Sequence, residues 1–337
     1  MGIKQKQEVV DYTKQGLPQT IILGLQHGFT MFSATVLVPI ITGLDISVAL
    51  FMAGVGTLFF HFFTKNKVPA FLGSSFAFIA PILLVTEKFG MQYALGGIVS
   101  AGLIYLILSL LVNKFGPEKI IAFFPPVVTG PVIMVIGLKL APTAIGMASK
   151  NWLLALVGFS MVVIISSFAK GFLRVIPVLI GIVAGYLVAV LFGMIDFSSV
   201  MDAKWIGFPN FTIAKFNWNA MMIVSPVAIV TVIEHIGDVL AISATVEKDF
   251  VKNPGLHRTL LGDGIATSFS ALFGGPANTT YSENTGVLAL TKVYNPIVMR
   301  IAALFAIIIG LIPKLGALIA TIPGSLIGGI SIIFPSL

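Results

Sequence analysis

Apolar runs of about 20 residues recur from Ile21 to the C-terminus, separated by short polar connectors. An α-helix needs a run of about that length to cross the hydrocarbon core of a bilayer. In lipid every backbone polar group must be bonded within the protein, which leaves only helix bundles and closed barrels. A barrel would show alternating segments of about ten residues, and the sequence has none. The chain therefore reads as an all-α polytopic membrane protein. Its composition agrees, with 57% apolar and only 10% charged residues. Cysteine is absent, which excludes disulfides and thiolate metal sites.

The expected spans are 21–42, 47–64, 68–85, 94–113, 124–142, 151–169, 175–195, 220–246, 260–275, 276–291, 296–313 and 315–334. The polar, lysine-bearing segment 1–20 has no cleavable apolar core, so the first span is expected to direct insertion itself. With the N-terminus in the cytoplasm, 14 of the 20 Lys and Arg residues fall in inner segments and five in outer ones. That asymmetry follows the positive-inside rule and accounts for the net charge of +7 without a nucleic-acid partner. Trp152, Trp205 and Trp218 lie near outer span ends, where amphipathic rings settle. Segment 196–219 reads as a connecting loop on the outer interface.

Two spans are interrupted. Pro69, Gly73, Ser74, Ser75 and Pro81 break "VPAFLGSSFAFIAPILL" (68–84), and Gly274, Gly275 and Pro276 open "GGPANTTYSENTGVLALTK" (274–292). Irregular backbone at membrane depth is tolerated only where it is buried in protein or lines a cavity, and paired interruptions in two halves point to a transporter site. "GLQHGF" (24–29) and "VIEHIG" (232–237) give an offset of 208 between His27 and His235, and the same offset carries Ser75 to Glu283. Seven spans separate the first from the eighth, so the repeats run in opposite orientations. The second repeat should then extend beyond Leu337, so about 12 of 14 spans are expected here.

The ionisable groups inside spans are few and costly there. Glu234 and Asp238 in "EHIGD" are four residues apart and share a helix face. Glu283 follows the second break, and neither Glu234 nor Glu283 has a basic residue within its span to pair with. Glu234, Asp238, Glu283 and His27 are the candidate proton-coupling groups. A helix-to-helix hydrogen bond is the plainer reading of His27, and His235 reads as packing behind the Glu234–Asp238 face. Asp263 is either a functional carboxylate or a cap on the ninth helix. Helices that start mid-membrane present free N–H groups and a positive dipole end. Carboxylates beside such ends suit a flat ligand with alternating N–H and C=O groups, its ring covered by Phe76 or Tyr281.

"ENTGVLALTK" (283–292) fits the Glu/Gln/Pro-Asn-x-Gly-x4-Thr-Arg/Lys/Gly pattern of the nucleobase–ascorbate transporters. "LQHGFTMFSATVLVP" (25–39), "PAFLGSSFAFIAP" (69–81), "EHIGD" (234–238) and "GGPANTTYSEN" (274–284) match that family's other hallmark segments. The chain resembles the bacterial uracil–proton symporters over nearly its full length. The resemblance implies fourteen spans as two inverted sevens. After the cytoplasmic segment 1–20, the core domain would take 21–115 and 220–313. The gate would take 116–219, with its outer loop, and 314–337, the start of its second half. It also implies that Glu234 and Glu283 hold the base, and that Phe76 and Ser282 bond ring carbonyls through their backbone N–H groups. Ala34 and Tyr281 would line the pocket. In the family's uracil carriers the position of Ser282 is a glycine and that of Asp238 a histidine. Glu283, where purine readers often have Gln, favours a pyrimidine.

The expectation is thus a nucleobase importer of the bacterial inner membrane, most simply for uracil. It would use no cofactor, a proton as coupling ion with sodium the alternative, and would associate as a homodimer through the gate. Two readings compete: an anion exchanger or channel of related architecture, and a truncated chain that binds without transporting. An intramembrane enzyme is disfavoured, because no metal-binding His pair and no nucleophile with an evident base is present.

Overall fold

The computed structural model describes residues 16–123 and 129–333. Residues 1–15 with Lys4, Lys6 and Lys14, the opening of the fifth expected span at 124–128, and residues 334–337 lie outside the described residues. Helices follow the apolar runs. α1 (Leu17–Thr42) starts with Pro18 in its first turn and stops at Gly43, whose φ of 81° suits only glycine comfortably. α2 (Ile46–Phe63) is capped by Asp45, whose carboxylate accepts from the Val48 N–H at 2.9 Å.

The third span is not a continuous helix. After an extended stretch at 68–71 come β1 (Leu72–Ser74), one 3-10 turn (Phe76–Phe78) and α3 (Ile79–Phe89). There follow α4 (Met91–Phe115), α5 (Pro117–Phe123), α6 (Thr129–Ala148), α7 (Trp152–Phe168), α8 (Pro177–Leu191) and the short α9 (Ser198–Asp202). The eighth span is divided at Pro226 into α10 (Trp218–Val224) and α11 (Val227–Val246). α12 (Leu256–Leu272), β2 (Asn278–Thr280), α13 (Ser282–Thr291), α14 (Ile297–Gly310), α15 (Pro313–Ala320) and α16 (Gly324–Ser331) complete the order. Among the described residues, α1, α2, α4 and the α10–α11 pair are long and apolar enough to cross a membrane unaided.

The expected twelfth span, 315–334, is not one helix. α15 is turned 82° from α14, and Pro323 separates it from α16. The bend before α15 coincides with the boundary expected after 313, whereas Pro323, which has no N–H to continue a helix, breaks the apolar run inside the expected span.

The two interrupted spans meet. β1 and β2 pair antiparallel with Leu72 opposite Thr280, Gly73 opposite Thr279 and Ser74 opposite Asn278. Two further bonds lengthen the ladder, Ser75 N–H to the Ala277 carbonyl at 2.9 Å and Tyr281 N–H to Phe71 at 3.1 Å. The outer edges of these strands, which lipid could not satisfy, are bonded by hydroxyls of neighbouring helices. Thr57 of α2 accepts from Leu72 N–H at 2.9 Å and donates to its carbonyl at 3.2 Å, while Thr267 of α12 donates to the Asn278 carbonyl at 2.7 Å. Equivalent bonds close the strand entrances, His61 to the Ala70 carbonyl and Ser270 to that of Pro276.

These equivalences correct the repeat offset. Leu72 answers to Asn278 and Ser75, the residue before the first turn, to Tyr281, which is 206 positions on rather than 208. Ser75 therefore matches Tyr281 and not Glu283. The histidine spacing overstates the offset because the connectors differ in length between the halves.

Packing divides the helices into two sets. α4, α12, α2, α14 and α1 pack on one another, with α10 and α3 on α4, while α7, α8, α16 and α6 form a second set. The loop 203–217 straps one end of the first set. Its backbone bonds run from Lys215 to Gln92, Ala214 to Leu272, Thr212 to Phe273 and Gly207 to Leu311. Trp205 lies under the Lys314 ammonium, 4.9 Å from the ring centre.

Candidate functional site

A cavity of about 390 Å³ lies where the β1–β2 crossing, α1 and α11 face the middle of α6 and the start of α8. From the first repeat α1 presents Thr30, Ser33 and Ala34, and the turn after β1 presents Phe76. From the second come Glu234 of α11 and the run Thr279 to Glu283. Ser282 and Glu283 are exposed to this space and Glu234 is half-buried. α13 begins at Ser282, so its first-turn N–H groups have no helical carbonyl to bond and face a cavity that also holds carboxylates. Arg174 and Val175, which precede α8, complete the wall on that side.

Asp238 stands one turn along α11 from Glu234. Its two oxygens accept from Ser282 Oγ and, at 3.0 Å, from Thr280 Oγ1. Thr280 Oγ1 also lies 3.4 Å from His235 Nδ1, and that nitrogen is 3.2 Å from Asp263 Oδ2. His235 and Asp263 are fully buried, and the Phe60 and Tyr105 rings meet the imidazole edge-on. A polar line thus runs from the cavity wall at Ser282 into the helix-packed interior at Asp263. Glu234, Asp238 and Glu283 are close enough for their charges to interact.

Of the sequence-predicted residues, the structure gathers Ala34, Phe76, Glu234, Tyr281, Ser282 and Glu283 at one cavity, with Asp238 directly behind Ser282. Tyr281 has a second duty. Its hydroxyl donates to the Ser74 carbonyl at 3.0 Å, and its ring lies where a side chain on Gly73 would be. His27 is not among the residues lining the cavity; fully buried, it lies 3.2 Å from Asn284 Oδ1 and ties α1 to α13. Asp263 does not cap a helix end. α12 starts at Leu256, after Pro254 and Gly255, and Asp263 is buried two turns inside it against His235.

Sequence reasoning passed over Thr30, Ser33, Thr280 and Arg174. Thr30, Ser33 and Ala34 are spaced i, i+3, i+4, and that small polar stripe on an otherwise apolar helix was the available signal. Nothing local marks Arg174 or Thr280.

Comparison with known proteins adds the following. A family model described as "Permease family" matches residues 18–337. The probable uracil permease of Haemophilus influenzae is 49% identical, over 91% of this chain and 77% of that protein. The uracil permease of Bacillus caldolyticus is 48% identical over 94% of this chain and 76% of its own, and that of Escherichia coli strain K12 is 40% identical over the same shares. Among solved structures, the transmembrane domain of a cyanobacterium bicarbonate transporter, BicA, superposes with a TM-score of 0.71 at 16% identity, covering 96% of this chain and 89% of that one. SLC26A9 gives 0.69 at 13% identity, covering 96% and 58%. At such identities the likeness concerns the fold, that of inverted-repeat transporters.

Proposed function

This multi-pass membrane chain belongs to that permease family, and from that premise we propose that it imports uracil or a closely similar nucleobase by proton symport. The observation that carries the reading is the junction of α13's free first turn, the turn after β1, and the carboxylates of Glu234 and Glu283 around one cavity. A uracil ring offers N–H groups to the carboxylates and carbonyl oxygens to the backbone N–H groups of Phe76 and Ser282, with the Phe76 ring over its face. Because the Ser282 hydroxyl is engaged by Asp238, only its backbone is offered to the base.

Alternating access would use the two packed sets of helices, with α1–α4 and α10–α14 as the core that carries the site and α6–α8 with α16 as the gate against which it rocks. α5 and α15, assigned to the gate by sequence, pack against α4 and against α2 and α14 respectively. The carboxylates Glu234, Asp238 and Glu283 would share the coupled proton, whose inward movement is driven by about 2.3 kcal/mol per 100 mV of membrane potential.

The competing anion-exchange reading draws on the fold likeness alone. Two acidic residues in the cavity wall, Glu234 and Glu283, with Asp238 behind Ser282, outnumber the one basic residue there, Arg174, and disfavour an anion. Uptake of labelled uracil by vesicles, with and without a proton uncoupler, tests the proposal. Uncoupler-sensitive uptake lost in both Glu234→Gln and Glu283→Gln is expected. Full activity in either variant, or flux driven by chloride or bicarbonate instead, would overturn it.

A further inference from the structure

A second cavity, of about 460 Å³, adjoins the first, and Arg174 is not part of its wall. It shares Phe76, Ala77 and Leu140 with the first cavity and extends to Leu84, Ile223 and Val227. Its lining is apolar with one exception, Lys139 of α6.

Lys139 has no ordinary structural role. It lies ten residues after Thr129 and nine before Ala148, so about 14–15 Å of helix separates it from either end of α6. A lysine stem spans only roughly one helical turn, so its ammonium cannot reach the interface from there. The side chain is exposed, and its ammonium has no hydrogen-bond or ion-pair partner among the described residues. A cation held at mid-span in an apolar chamber is costly unless something anionic visits it.

We propose that this second cavity is a binding site for a planar heterocycle bearing a carboxylate, its charge held by Lys139 and its ring laid against Phe76, Leu84 and Val227. Charge complementarity selects the anion, and the flat apolar walls select the ring. A neutral base passes this chamber on its way to the first cavity. A carboxylated one is held by Lys139 and turned back by Glu234 and Glu283, so it acts as a blocker and not as a substrate. The location on the outer path rests on the transport reading above; the binding itself does not.

Orotate, a uracil ring with a carboxylate, is the probe. Isothermal titration of the purified chain at neutral pH is run with orotate alone, with orotate at saturating uracil, and with uracil alone, for the unaltered chain, Lys139→Met and Lys139→Arg. Orotate should bind even when uracil is saturating. Its dissociation constant should rise by about tenfold or more in Lys139→Met, the scale of a lost charge-assisted hydrogen bond, and stay close to the unaltered value in Lys139→Arg. Absence of orotate binding, equal binding by Lys139→Met, or complete displacement by uracil each overturns the second site. The last would place orotate in the first cavity, and equal binding by Lys139→Met would leave the chamber to lipid acyl chains. If uracil itself fails to bind, the transport reading falls while the orotate result still decides the site.

Discussion

The Ser282 hydroxyl donates to the Asp238 carboxylate, joining the first residue of α13 to the middle of α11. These are the two positions where the family resemblance led to the expectation of glycine and histidine, and here they are partners. The bond fixes the start of α13 against the helix that carries Glu234, and so sets the distance between the two halves of the candidate site.

Because Thr280 is the second donor to Asp238, losing either hydroxyl alone leaves the carboxylate partly bonded. Ser282→Ala and Thr280→Val should each lower stability by about 1 kcal/mol. The double variant, which leaves the buried carboxylate without either donor, should cost distinctly more than the sum. Thermal denaturation in detergent measures all three, and simple additivity would show that Asp238 finds another donor.

Tyr281 and Gly73 form one unit across the crossing. Tyr281→Phe removes the bond to the Ser74 carbonyl and a long one, 3.5 Å, from Thr35 Oγ1, and should cost about 1 kcal/mol with uptake retained. Gly73→Ala puts a methyl group into the Tyr281 ring and forces it aside. An overpacking cost of about 1–3 kcal/mol is expected there, with uracil uptake strongly reduced. The comparison of folded yield with transport in the two variants is the check.

His235 and Asp263 are a fully buried pair, so removing one partner should be worse than removing both. His235→Ala is expected to cost about 3–5 kcal/mol by leaving Asp263 isolated, and His235→Ala with Asp263→Ala considerably less. Equal damage from the single and double variants would mean that the pair contributes packing alone.

The chain has no native cysteine, so single cysteines report topology without background. Asp202→Cys, in α9 on the exposed outer loop, should react with an impermeant maleimide in intact cells, and Lys170→Cys should react only after lysis. The reverse pattern would invert the assigned orientation, and with it the outer placement of the Lys139 chamber.

The helices were legible because lipid leaves a chain few alternatives, and the breaks at 73–75 and 274–276 were legible because Gly and Pro punctuate any apolar run. That the two breaks pair as strands was not, since three-residue strands carry no period of their own. The cap alternative for Asp263 arose because the true start of α12, set by Pro254 and Gly255, lies a few residues earlier than the apolar pattern suggests. The Ser282–Asp238 and His235–Asp263 contacts span 44 and 28 positions between helices, and only packing reveals them. The bend before α15 falls at the boundary expected between 313 and 315, but apolarity concealed the second break, at Pro323 inside the expected span 315–334.

The strand pairing at the centre of the molecule also sets an order of assembly. About 200 residues separate Ser74 from its partner Asn278. At synthesis rates of 5–20 residues per second, roughly 10–40 s pass between the two emerging from the ribosome. Throughout that interval the ladder edge of 72–74 has no strand to bond, and hydrocarbon would leave it bare. The nascent first half must therefore shelter it, within the insertion machinery or against water, and the site comes into being only when the second half arrives to close it.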